Sequence, residues 1–157
     1  MSIEKVRSFF AGLGREDDIL EFAVSSATVE LAAQAVGCSP GRIAKTLSFA
    51  VDEGCVLVVC AGDSKIDNSK FKAQFHTKAK MLSPDEVLSF TGHAVGGVCP
   101  FAIENPAVTV YLDESMRRFD TVYPAAGSSN SAIRLTPAEL ERFSKSAGWI
   151  DVCKLPG

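Results

Sequence analysis

Large and small side chains alternate between positions 43 and 51, and a lysine interrupts the large apolar series. A period of two is the pattern of an extended strand. It sets Ile43, Leu47, Phe49 and Val51 on one face, and Ala44, Thr46, Ser48 and Ala50 on the other. Lys45 falls among the large apolar side chains. An ammonium group there must reach water along its stem, pair with a carboxylate, or face a cavity that holds an anion or a polar ligand. Positions 55–60, Cys-Val-Leu-Val-Val-Cys, predict a second strand, joined to the first by the tight turn Asp52-Glu53-Gly54.

The flanking segments change period. Ile3, Val6, Phe9, Phe10 and Leu13 recur at helical spacing, and Gly14 is a plausible stop. Positions 20–24 predict a short strand. Thr28 opens a helix that runs to Val36 and ends at Gly37. A third helix is expected over 68–75, and a fourth starts at Ser83-Pro84, with serine as cap and proline at the first position. Positions 108–112, 121–123 and 132–135 are rich in strand formers, and Thr136-Pro137-Ala138-Glu139 carries the capping pattern of a last helix. Strands and helices mix without strict alternation. The expected class is therefore α/β, a mixed β-sheet flanked by helices. No repeat, low-complexity tract or linker interrupts it, so residues 1–157 read as a single domain.

Composition narrows the classes. With 46% apolar and 22% charged residues, the chain has the balance of a globular protein with a real core. No apolar run approaches the roughly 20 residues that span a bilayer. The start Met1-Ser2-Ile3-Glu4-Lys5 mixes charges into an amphipathic pattern unlike a signal peptide, so a cytoplasmic location is expected. Five cysteines (Cys38, Cys55, Cys60, Cys99 and Cys153) form no C-x-x-C pair, which argues against a disulfide framework or a zinc knuckle. Cys99 lies beside a glycine-rich turn, yet no cysteine–histidine signature accompanies it. His76 and His93 are the only histidines, too few for a histidine metal centre, and no metal is expected. A net charge of −3 does not advertise a nucleic-acid binder, but Lys65, Lys70, Lys72, Lys78 and Lys80 face only Asp67 within their own stretch. Such a run is a solvated helix face or a phosphate-contacting patch.

Two loops join Lys45-Thr46 as candidate chemistry. Gly96-Gly97-Val98-Cys99-Pro100-Phe101 is a rigid turn whose backbone amides can approach a ligand, hold a carbonyl oxygen and stabilise charge developing on it. Its plainer reading is a tight bend between a helix and a strand. Ala126-Gly127-Ser128-Ser129-Asn130-Ser131 is a polar loop, either a solvent-exposed turn or a rim of hydroxyls and amides around a polar substrate. It is not a nucleophile elbow, because serine stands where the second glycine is required.

Taken together, four segments resemble the YbaK/ProX-type family of trans-editing aminoacyl-tRNA deacylases, which is related to the editing insertion of bacterial prolyl-tRNA synthetases. They are Thr28-x-Glu30-x-Ala32-Ala33, Ile43-x-Lys45-Thr46-Leu47, Gly96-Gly97-Val98-x-Pro100-Phe101, and Ala126-Gly127 leading to Ile133-x-Leu135-x-Pro137-x-x-Leu140. The resemblance implies hydrolysis of the ester that joins a wrong amino acid to the terminal adenosine of a tRNA, without metal or organic cofactor. It implies catalytic roles for Lys45, Gly96 and Gly97. Substrate contacts fall to Thr28, Thr46, Val98, Pro100, Phe101, Gly127 and Ser128. Lys65, Lys70 and Lys72 become contacts to tRNA, and an aminoacyl-tRNA synthetase a candidate partner. Two positions depart from the family pattern: no histidine precedes Thr28, and Ala132 stands where some members carry aspartate. The hydroxyls of Ser25, Ser26 and Thr28 point toward a small or hydroxylated amino acid. Two other readings stay open: a non-catalytic module binding an aminoacyl-tRNA or a synthetase, and a hydrolase of some other small ester.

Overall fold

Nine strands and five helices follow one another in the computed structural model, which describes residues 2–156; Met1 of the charged start and Gly157 lie outside it. The strands are β1 (Ile19–Glu21), β2 (Ile43–Val51), β3 (Gly54–Ala61), β4 (Lys65–Ile66), β5 (Val108–Asp113), β6 (Tyr123–Pro124), β7 (Ser131–Ile133), β8 (Trp149–Ile150) and β9 (Cys153–Lys154). The helices are α1 (Ser2–Ala11), α2 (Val29–Val36), α3 (Asn68–Phe75), α4 (Pro84–Thr91) and α5 (Pro137–Ser144). Five strands form the main sheet in the order β6-β2-β3-β5-β8. β2 and β3 are antiparallel, while β6, β5 and β8 join their neighbours in parallel, so the sheet is mixed as expected.

Both faces of this sheet are covered. Ala44, Leu57, Val59 and Ala61 pack toward Val6 and Phe10 of α1, Phe101, and Leu140 and Phe143 of α5. Phe10 is the hub, its ring 5.0 Å from Phe101 and 5.7 Å from Phe143. On the opposite face Phe49, Val58 and Cys60 meet Phe71, Val152 and Cys153. The small-residue face of β2 is thus no solvent face. Ala44 and Ser48 are buried there, Ala44 in the same core as Val6 and Phe10 of α1.

The expected helix caps are present. Thr28, Ser83 and Thr136 each accept a hydrogen bond from an amide three residues on, at Leu31, Glu86 and Glu139. At Ser83 and Thr136 the glutamate returns the contact and closes a capping box. Other boundaries differ from the sequence expectation. The first helix stops at Ala11, before Leu13; the first strand is three residues rather than five; and β6 begins at Tyr123. β4, β8 and β9 have two residues each, too few to leave any periodicity in the sequence.

Candidate active site

A groove of 410 Å³ runs along the outer edge of β2. Lys45, Thr46, Thr28, Gly96 and Val98 all line it, so residues from three separate sequence segments meet in one groove. Met81, Leu82, Val95, Tyr123, Ala125 and Ala132 complete its wall. The hydroxyls of Ser26 and Thr28, read from sequence as specificity groups, are largely committed elsewhere. Ser26 Oγ bonds to the Ser129 carbonyl, and Thr28 Oγ1 caps α2. The lining is consequently mostly apolar.

Lys45 is half-buried, and its side chain stands beside Cys60 in the β2–β3 ladder. Its ammonium donates to the carbonyl of Ser64. That acceptor sits in a locked turn. Ser64 is 1% exposed, and both its amide and its hydroxyl bond back to the Ala61 carbonyl. Asp63, next to it, makes a paired contact with Arg118, which holds the carboxyl below its ordinary range, the nearby Lys45 charge adding a smaller share. Arg118 and Arg42 both stack on Phe119, at 4.7 and 5.3 Å from the ring centre. Among the described residues the cation is therefore neither loose in solvent nor neutralised by a direct carboxylate partner; an ammonium with three protons keeps donors for a ligand.

The glycine loop follows α4. Gly92 ends that helix in the left-handed conformation at φ 77°, and Gly96 takes φ 98°. Gly97 serves packing rather than the groove. Its amide donates to the Ala94 carbonyl, and a Cβ there would come within 2.8 Å of the Ser128 backbone. The amides expected from the loop thus reduce to those of Gly96 and Val98 at the groove wall.

Several predicted contacts lie elsewhere. Phe101 is fully buried in the core with Phe10. Pro100 lines a different cavity of 740 Å³, between α1, β5 and the end of α5. Gly127, at φ 97°, is pressed against the backbone of Ser2 and Ile3, and Ser128 Oγ bonds to Asn130 and Ser131. These residues shape the loops behind the groove. Lys65 and Lys72 are exposed on β4 and α3, whereas Lys70 is engaged by Asp151 at 3.0 Å and by the Cys153 carbonyl.

One pair was missed in the sequence. Cys99 Sγ lies 3.5 Å from His93 Nε2, so a histidine does accompany this cysteine. Both are fully buried, and burial pushes the thiol up to about 12, which rules out an exposed nucleophile. His93 Nε2 faces the Phe101 carbonyl at 2.8 Å and so carries the proton, while Nδ1 has no partner among the described residues. Burial lowers the His93 pKa below its ordinary 6.5. The neutral ring therefore contributes stability above that value, which is lost as acidification drives the histidine to charge. Unfolding free energy is expected to fall as the pH drops below the ordinary histidine value of 6.5, and less steeply in His93→Leu. Denaturant melts on either side of that value test this; equal slopes for the two proteins would contradict it.

Among the described residues no cluster of three or more His, Cys, Asp or Glu side chains is placed to hold a metal ion. None of the described helices is long and apolar enough to cross a membrane.

A half-buried lysine on an interrupted sheet edge, in a groove also lined by Gly96 and Val98, belongs to a recognisable class. Residues 24–143 match the aminoacyl-tRNA editing domain, and the chain is a member of that family. It is 56% identical to the uncharacterized protein YwhH of Bacillus subtilis (strain 168), over 98% of both chains. It is 28% identical over 80% of its length to a proline–tRNA ligase of Thermotoga sp. (strain RQ2), of which it spans 21%. Among solved structures, one provisionally assigned as a trans-editing enzyme for prolyl tRNA synthetase superposes with a TM-score of 0.86 at 30% identity, covering 99% of this chain and 98% of the other. The hypothetical protein APE2540 superposes with a TM-score of 0.81 at 28% identity, covering 96% and 99%.

Proposed function

We propose that this protein is a trans-editing deacylase, hydrolysing the ester between a misattached amino acid and the terminal adenosine of a tRNA. The observation that carries this reading is the convergence of Lys45, Thr46, Thr28, Gly96 and Val98 on one groove. An aminoacyl ester is already activated. Water adds to its carbonyl carbon, the bond to the ribose oxygen breaks, and that oxygen leaves with a proton derived from the water. The protein has to position the ester and stabilise the oxyanion, which needs neither a protein nucleophile nor a cofactor. Lys45 supplies a fixed positive charge to the ribose, the phosphate or the developing oxyanion, and the Gly96–Val98 turn supplies backbone donors.

The exposed Lys65 and Lys72 fit contacts to the phosphates of the acceptor stem, positioning without reading sequence. Lys70 joins them only if it leaves Asp151. A cytoplasmic location and an encounter with a synthetase follow from this role. The similarity to proline–tRNA ligases supports the second.

A panel of misacylated tRNAs incubated with the purified protein tests the proposal. Release of one or a few amino acids, at a rate that falls as salt is added, is the expected result. Binding without release would favour the non-catalytic module. Equal action on esters lacking tRNA would favour a small-ester hydrolase.

A further inference from the structure

The outer edge of β2 is covered in two places and open between them. β6 pairs with Ile43 and Ala44. Further along, Phe49 pairs with Met81, where the Ala50 amide donates to the Lys80 carbonyl and the Leu82 amide to Ser48. Ser48 and Ala50 thus turn their backbone polar groups away from β3. By the alternation of an antiparallel ladder, Thr46 does the same. Among the described residues no strand pairs with Thr46 on that side. Thr46 lines the groove, and its Oγ1 is buried with no hydrogen-bond partner among the described residues. One residue therefore brings an amide, a carbonyl and an unclaimed hydroxyl to the same spot. Buried polar groups are nearly always paired, so an orphan beside a groove marks where a ligand belongs.

We propose that the aminoacyl group of the substrate docks on Thr46 as a strand one residue long. This rests on the deacylase reading and adds the feature of the substrate that is recognised. An aminoacyl ester carries an ammonium donor and a carbonyl acceptor on either side of a single Cα, as a residue in a strand does. Placed antiparallel to Thr46, the ammonium donates to the Thr46 carbonyl and, once the side chain turns toward the groove, to Oγ1, and the ester carbonyl accepts from the Thr46 amide. These contacts use atoms common to all amino acids, so they fix the scissile ester whatever the side chain. The amide also donates to the oxygen that becomes negative when water attacks. Discrimination among side chains then falls to the groove walls, among them Met81, Val95 and Ala132.

The test takes the tRNA ester cleaved fastest in the panel and the same tRNA carrying the corresponding des-amino acyl group. Loss of the ammonium is expected to lower kcat/KM about 10- to 100-fold, the effect of removing charge-assisted hydrogen bonds. Thr46→Val removes the hydroxyl and keeps the branched shape; it should slow the aminoacyl substrate more than the des-amino one, narrowing their ratio. Equal rates on the two acyl groups overturn the docking, and so does a ratio that Thr46→Val leaves unchanged. If both substrates are nonetheless cleaved in a Lys45-dependent way, the deacylase reading survives that failure. No cleavage of any panel member overturns both. The substrate comparison uses the unaltered protein, so it holds even if Thr46→Val folds poorly.

Discussion

Lys45→Ala is expected to reduce tRNA deacylation about 100- to 1,000-fold while leaving the protein folded. The rate effect is the size seen when one fixed donor to a developing oxyanion is removed. The stability effect is small because the side chain is half-buried and makes one hydrogen bond, to the Ser64 carbonyl, worth about 1 kcal/mol net. Lys45→Met keeps most of the stem and deletes the charge, so it separates packing from electrostatics. Both variants should melt within a few degrees of the native protein, and both should be nearly inactive. Near-normal turnover in either one would remove this ammonium from the chemistry. A collapse in stability would assign it to the fold instead.

The second large effect is expected from Gly97→Ala. A methyl group at this position would stand 2.8 Å from the Ser128 Cα and nitrogen and 2.9 Å from its carbonyl carbon. All three are backbone atoms, so one loop must move. Overpacking of this kind costs about 1–3 kcal/mol, and the unfolding midpoint of a chain this long falls about 2–4 °C for each kcal/mol. The same displacement carries Gly96 and Val98 away from the groove, where a shift of about 1 Å is enough to cost 100-fold in rate. Gly96→Ala acts differently. Its nearest neighbours, the Cβ atoms of Ala27 and Ser129, are 3.7 Å away, so the strain comes from φ 98° rather than from collision. Parallel melts and deacylation assays distinguish the two; unchanged values for Gly97→Ala would show that the loop gives way freely.

What the sequence made legible follows from how local each feature is. The β2 lysine was visible because nine residues of alternation surround it, and the three helix caps because cap and partner lie three residues apart. Features built from distant residues were not visible. Nothing in Lys70 foretells Asp151, and nothing in Met81 foretells its pairing with Phe49, yet that pairing bounds the open edge at Thr46. The glycine pair was found but its labour was misdivided. Sequence treated Gly96 and Gly97 alike as donors, whereas packing against Ser128 takes Gly97 out of the groove. Phe101 was misplaced for a similar reason, since an aromatic beside a candidate loop looks the same in sequence whether it faces a substrate or the Phe10 core.

Helix α1 lies wholly before the matched span of 24–143, yet the Ser2 hydroxyl bonds to the Gly127 carbonyl and a Cβ at Gly127 would meet the Ser2 oxygen at 2.9 Å. Gly127 leads directly into Ser128, against which Gly97 rests. The amino-terminal helix and the loop beneath the groove can therefore drift only in concert over evolutionary time. A chimera that borrows the editing region from a relative should take the relative's first helix with it.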